Sequence, residues 1–244
     1  MNHKNAIITG SSRGIGRATA LLFARNGYNL LINCCHSHEE LMKTCEEIRS
    51  EYAVKCIPFL GNAGDPACAS ELFSLAKKEL GDIHLLINNA GVSHIGLLQD
   101  MTDEEWNRLL NTNLTSVFNM CRLVIPDMLS RKQGKIINVS SVWGICGASC
   151  EAAYSATKGA VNALTRALGK ELAPSGIQVN AIAFGTIHTS MNNCFSQNEL
   201  DQLASEIPAG RMAEPEEAAE FILQLANSPS YLTGEVIKMD GGWI

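Results

Sequence analysis

Seven short apolar runs, each separated from the next by a stretch of helical periodicity, limit what this chain can become. The runs are AIIT, NLLIN, VKCIPFL, IHLLIN, KIINVS, IQVNAIA and EVIKMD. Amphipathic patterns cover residues 14–26, 38–52, 67–80, 103–130, 152–173 and 215–226. Continuous apolar strands alternating with helices imply a parallel sheet buried on both faces. Right-handed crossovers then wind the helices onto both sides. No linker or repeat interrupts residues 1–244, and 46% hydrophobic residues suffice for one substantial core, so one domain is expected. In such a fold, ligands sit beyond the carboxyl ends of the strands, where the strand order reverses.

The first run leads into Thr9-Gly10-Ser11-Ser12-Arg13-Gly14-Ile15-Gly16 and then into the helical pattern RATALLFARNG. Glycine allows a sharp turn and a close approach of backbone to phosphate. The helix behind it directs unpaired N–H groups at an anion. Strand, glycine turn and helix together form the context of a dinucleotide site, which makes the expected fold class an α/β, Rossmann-type doubly wound parallel sheet. The spacing Gly-x-x-x-Gly-x-Gly differs from the commoner Gly-x-Gly-x-x-Gly, and no Gly-Lys-Ser/Thr follows to make a Walker A loop.

A second signal lies in SSVWGICGASCEAAYSATK, which holds Ser141, Tyr154 and Lys158. Tyr154 and Lys158 are four apart, on one face of a helix. A free tyrosine, with a pKa of about 10, is a poor acid–base catalyst at neutral pH. An adjacent ammonium favours the phenolate and is expected to bring that pKa down. Ser141, at the end of an apolar run, can hold a carbonyl oxygen beside the phenol. These are parts for moving a proton on and off a carbonyl or alcohol oxygen.

Taken together, the motifs resemble those of the short-chain dehydrogenase/reductases, and within them the 3-oxoacyl-[acyl-carrier-protein] reductase group. The family's Thr-Gly-x-x-x-Gly-x-Gly is matched by Thr9 to Gly16, and its Asn-Asn-Ala-Gly by Asn88 to Gly91. Its catalytic Asn is matched by Asn113, its Ser, Tyr and Lys by Ser141, Tyr154 and Lys158. LTGEVIKMDGGWI is similar to the family's C-terminal strand. The resemblance implies hydride transfer from a nicotinamide to a carbonyl carbon. Tyr154 donates the proton, Ser141 anchors the oxygen, and Lys158 tunes Tyr154 and binds the nicotinamide ribose. Asn113 extends the relay through a helix irregularity and a water. No metal is implied.

The same resemblance assigns the cofactor residues: Gly10, Ser12, Arg13, Gly14, Ile15 and Gly16 at the pyrophosphate turn, with Asn62 and Ala63 at the adenine. Asn89, Ala90 and Gly91 fall along the adenosine, Tyr154 and Lys158 at the ribose, and Ile187 and Thr189 at the carboxamide. An NAD site places an acid after the second strand. Here that position reads Asn33-Cys34-Cys35-His36, while Arg13 offers a cation for a 2′-phosphate. NADP(H) is therefore favoured over NAD(H). Phe184-Gly185 replaces the family's Pro-Gly after the sixth strand, which frees φ there. Asn88 has a structural alternative, a tie between neighbouring strands.

The substrate is less constrained. Residues 188–208 combine polar turns with a short helix and form a candidate lid. Trp143, Cys146, Cys150, His94, Phe184 and His188 are candidate pocket residues, each with a packing or solvated alternative. Arg131 and Lys132 fit one basic carrier-docking position of the family, but Ser175 at a second carries no charge. Three readings follow: an NADPH-dependent 3-oxoacyl-[acyl-carrier-protein] reductase of fatty acid synthesis; a dehydrogenase for another alcohol or ketone, such as a hydroxysteroid or polyol; or a non-catalytic nucleotide-binding regulator. The four matched catalytic residues argue against the last. The substrate is thus a small-molecule or acyl-carrier-bound carbonyl compound.

A net charge of −6 without a basic stripe argues against nucleic acid. No apolar stretch approaches the ~18 residues of a membrane span, and the first strand begins too early for a signal peptide. The nine cysteines show no metal-ligand spacing and read as reduced thiols, so a cytoplasmic location is expected. The patterns over 103–130 and 152–173 are apolar on more than one side, with Val117, Met120, Val124 and Met128 beside Leu109, Leu110 and Leu114. That pattern, with Trp243 and Ile244 at the end, leads to an expected homotetramer.

Overall fold

The computed structural model describes residues 3–244. Strand β1 (Asn5–Ile8) is followed by α1 (Gly14–Arg25), β2 (Asn29–Cys34), α2 (His38–Glu51), β3 (Cys56–Leu60), α3 (Pro66–Leu80) and β4 (Leu85–Asn88). Then come α4 (Asp103–Leu110), a π-helical turn (Asn111–Thr115), α5 (Ser116–Arg131) and β5 (Gly134–Ser141). The last part holds α6 (Trp143–Cys146), α7 (Ala152–Leu172), β6 (Ile177–Phe184), α8 (Gln197–Glu206), α9 (Pro215–Ala226) and β7 (Val236–Met239). The seven strands form one sheet in the order 3-2-1-4-5-6-7, and every neighbouring pair is parallel. The order reverses between β1 and β4, which opens the crevice at their carboxyl ends.

The strands read as unbroken apolar runs because both faces are covered. Ile7, Leu31, Leu86 and Val179 point to one side, where Leu72 of α3, Val124 of α5 and Val161 of α7 pack on them. Ala6, Ile8, Leu30, Ile32 and Ile182 point to the other side, against Phe23 of α1 and Ile222 of α9. The two-residue period of a strand sorts adjacent side chains into separate cores.

The helical stretch 103–130 is interrupted. A capping box between Thr102 and Glu105 starts α4, and the π turn at 111–115 breaks the regular hydrogen-bond ladder before α5. Single π turns inside helices collect at functional sites. Of the residues the sequence offers as apolar on more than one side, Val117, Met120, Val124, Met128 and Leu109 are buried within the chain itself, and Leu110 and Leu114 are half-buried. The exposed apolar stripe of α5 is instead Phe118 and Leu129, with Arg122 stacked 5.3 Å from the Phe118 ring. Trp243 also packs inward, its ring centroid 4.8 Å from that of Trp143. Among the described residues, no helix is long and apolar enough to cross a membrane.

Candidate active site

The glycine turn owes its form to close backbone contacts. Gly10 has φ +67°, and a Cβ there would lie 2.7 Å from Cα of Ala90. A Cβ at Gly16 would lie 2.1 Å from the carbonyl oxygen of Gly10. The amide of Asn89 donates to the carbonyls of Thr9 and Gly10 at 3.0 and 2.9 Å, and Thr9 Oγ1 accepts the backbone N–H of Asn89 and Ala90, both at 3.1 Å. Asn89 thus clamps the turn to the end of β4. Helix α1 has no side-chain cap at Arg13, so its first N–H groups are left for a ligand.

A cavity of about 690 Å³ opens over this turn and runs across the switch point. It is lined by Gly10, Ser12, Arg13, Gly14, Ile15, Gly16, Asn62, Ala63, Asn89, Ala90, Gly91, Ser141, Tyr154, Lys158, Ile187 and Thr189. Every catalytic and cofactor residue expected from sequence is therefore brought to one place, except Asn113. That side chain is buried to 1% exposure; its Oδ1 accepts from Val92 N–H and its Nδ2 donates to Val92 O, both at 2.8 Å. It holds the loop after β4 against the π turn instead of facing the cavity. Asn88 donates to Asn138 Oδ1 at 2.9 Å and ties β4 to β5.

At the end of the cavity near β2, Asn33 donates to the carbonyls of Phe59 and Gly61, and no carboxylate lines this end. Arg13 is largely exposed and lies 3.8 Å from Glu40. Asn62 has both ends of its amide engaged, donating to Asn111 Oδ1 at 2.9 Å and accepting from Gly64 N–H at 2.8 Å.

Ser141 ends β5, while Tyr154 and Lys158 stand on the first two turns of α7. All three are buried. Lys158 Nζ donates to Val139 O at 2.8 Å and sits 5.7 Å from the Tyr154 ring centroid. Burial, not the neighbouring ammonium, governs the phenol. Loss of solvent pushes the Tyr154 pKa up to about 12; the charge of Glu151 adds to this, and the Ser141 hydroxyl pulls the other way. The same desolvation brings Lys158 down to about 8. The lowered tyrosine pKa expected from the four-residue spacing is thus reversed, because burial penalises both charged forms.

On the substrate side, Trp143 and Phe184 line the cavity, whereas His94, Cys146, Cys150 and His188 do not. His94 lies 3.7 Å from Glu105 and His188 3.4 Å from Glu214. Arg108, Glu151, Met191, Phe195, Leu203 and Trp243 line it as well. Of these, Glu151 had a local signal, its place one turn before Tyr154. Trp243 had none, since its contact with Trp143 joins distant parts of the chain. The segment 188–208 supplies Met191 and Leu203 from its short helices and Phe195 from the bend between them, and forms a wall of the cavity.

A nicotinamide dinucleotide fits this arrangement. The glycine positions leave backbone where any Cβ would intrude, α1 presents uncapped N–H groups, and the Lys158 ammonium lies buried without a carboxylate partner among the described residues. Residues 4–200 match the model of the short chain dehydrogenase family. The chain is 36% identical to the uncharacterized oxidoreductase YmfI of Bacillus subtilis, over 99% of both chains. It is 37% identical to the 3-oxoacyl-[acyl-carrier-protein] reductase FabG of Staphylococcus epidermidis, over 98% of both. To the FabG of Thermotoga maritima it is 38% identical, over 99% of this chain and 98% of the other. The parallel order 3-2-1-4-5-6-7, the clamped glycine turn and these full-length relatives place the chain in the short-chain dehydrogenase family, as an NAD(P)-dependent oxidoreductase.

Proposed function

We propose that this enzyme reduces a 3-oxoacyl thioester with NADPH. The observation that carries the reading is the convergence of Ser141, Tyr154 and Lys158 in the cavity of the glycine turn. The nicotinamide, when bound, supplies a hydride to the carbonyl carbon. Ser141 holds the carbonyl oxygen. Tyr154 is a phenol at neutral pH, the form needed to give that oxygen its proton, because burial keeps its pKa high. The Lys158 ammonium beside it stabilises negative charge arising on the phenol oxygen and binds the nicotinamide ribose. Asn113 acts as a positioning residue through Val92 and the π turn. Consumption of NADPH with a short 3-oxoacyl thioester, compared with a ketosteroid panel, tests the assignment. Turnover of ketosteroids alone would favour the second reading, another carbonyl reductase. One observation supports that alternative: Arg131 is held by Asp127 at 3.0 Å and by Ile83 O at the amino-end edge of the sheet, away from the cavity of its own chain.

NADP(H) is the proposed cofactor because Arg13 is the cation at a cavity end without a carboxylate. Arg13→Ala is expected to raise the Kd of NADPH by at least tenfold and that of NADH by less than threefold, read by fluorescence titration. Equal losses would assign Arg13 to the pyrophosphate turn.

The proposed assembly is a homotetramer formed in part through Phe118 and Leu129, which a monomer leaves in water. Light scattering at micromolar concentration should give four chain masses. Phe118→Glu, placing a charge in the contact, should give a smaller species; a wild-type monomer would overturn the proposal.

A further inference from the structure

Glu151 is the one carboxylate that lines the cavity among the described residues; the cations there are Arg13, Arg108 and Lys158. It stands at the N-cap of α7, three residues before Tyr154, yet its side chain does not cap the helix. It has no ion-pair partner within 4 Å among the described residues. It shares the substrate side of the cavity with Trp143 and Trp243, whose rings are tilted by 56° with centroids 4.8 Å apart. A carboxylate offers only acceptor sites, and an indole has a single N–H to give. Glu151 lines the cavity, so the acceptor sites an indole does not fill are available on the substrate side.

We infer that Glu151 is a specificity-determining residue that accepts a hydrogen bond from a donor on the substrate close to the reacting carbonyl, an amide N–H or a hydroxyl, and rejects substrates that carry an anion there. The inference rests on the reductase reading above. Two physical effects give it strength. In a partly dehydrated cavity an unmatched carboxylate is costly, so a substrate lacking the donor leaves it unpaired. An anion in the same place adds like-charge repulsion that solvent screens poorly. Burial raises the carboxyl above its usual pKa range, and a hydrogen bond from Trp143 opposes that rise, as expected of a group partly removed from water.

One 3-oxoacyl group carried as four thioesters tests this. They are made from N-acetylcysteamine (amide N–H), mercaptoethanol (hydroxyl), ethanethiol (no donor) and mercaptopropionate (carboxylate). The readout is the ratio of kcat/KM values within each enzyme, so a general loss of activity does not enter. The wild type is expected to favour a donor-bearing thioester over the ethyl thioester at least tenfold, and to disfavour the carboxylate at least tenfold. Comparing the amide with the hydroxyl identifies the donor. Glu151→Gln keeps an acceptor but loses the charge, so it should retain the donor preference and lose the discrimination against carboxylate. Glu151→Leu should lose both. The inference is overturned if the wild type shows neither preference, or if both variants keep the wild-type ratios within twofold. A wild type that oxidises NADPH with none of the four thioesters overturns the reductase reading itself, and the inference with it.

Discussion

Tyr154→Phe is expected to lower kcat by at least a thousandfold while leaving the Kd of NADPH within about threefold. The substitution removes one oxygen and preserves the ring that packs with Leu109 and Ala153. No described backbone hydrogen bond depends on the phenol oxygen, so the fold should be unchanged. What is lost is the proton donor, and a positioned general acid contributes about 10²–10⁴-fold. Among the described residues the phenol is the only acidic hydroxyl in the cavity, and burial keeps it protonated far above neutral pH. Stopped-flow NADPH oxidation and fluorescence titration measure the two quantities separately. Retention of a tenth of the wild-type kcat, under about 1.4 kcal/mol in the barrier, would remove Tyr154 from the mechanism.

Lys158→Met should separate stability from activity. The ammonium is buried at 4% exposure, and burial lowers its pKa from an ordinary 10.5 to about 8. The unfolded chain therefore holds this proton more tightly than the folded one. Below about pH 8 the cost of keeping the charged lysine inside is fully present, and it disappears as the pH rises from about 8 toward 10.5. At pH 7 that cost is about 3 kcal/mol, less about 1 kcal/mol for the hydrogen bond that Val139 O would lose on substitution. The methionine variant without nucleotide should then melt about 5 °C higher than wild type at pH 7, with the gap closing at pH 10. Its kcat should fall at least a hundredfold, since the preorganised charge beside the phenol is gone. Calorimetry at the two pH values together with steady-state rates decides the matter. An unchanged or lower melting point at pH 7 would mean that the lysine does not carry its charge at a structural cost.

How much of this was legible beforehand depends on the range of the interaction. The sheet could be read because both faces of its inner strands are buried, which writes apolar runs directly into the sequence. The glycine turn and the Tyr154–Lys158 pair could be read because each is local, set by a tight turn or by a helical period. The direction of the tyrosine pKa could not, because it depends on how much solvent the whole cavity admits. Trp243 looked like a terminal residue available for a neighbour, and only the return of β7 to the edge of β6 brings it to Trp143. The stretch 103–130 looked apolar on more than one side because helical periodicity does not say how far a sheet and two flanking helices wrap around α5 and bury Val117, Met120 and Val124. Asn113 and an irregularity in its helix were visible through the resemblance, but the clamp of its side chain on Val92 depends on how the π turn meets the loop after β4, which no spacing rule announces.

Asn88 and Asn138 have a consequence for how the strands find their alignment. A parallel sheet covered on both sides is apolar on both sides, so sliding one strand by two residues past its neighbour exchanges one aliphatic contact for another at little energetic difference. The buried amides remove that indifference. They face each other across β4 and β5 as register partners, and Asn138 continues to Thr165 of α7 at 2.9 Å. A slide of β4 past β5 would part the two amides inside a hydrocarbon layer, at about 1–3 kcal/mol for each polar group left unpaired. The pair works as a key that admits a single alignment. That alignment carries the carboxyl end of β5, and with it Ser141, to the same height as the loop after β4 that closes the glycine turn.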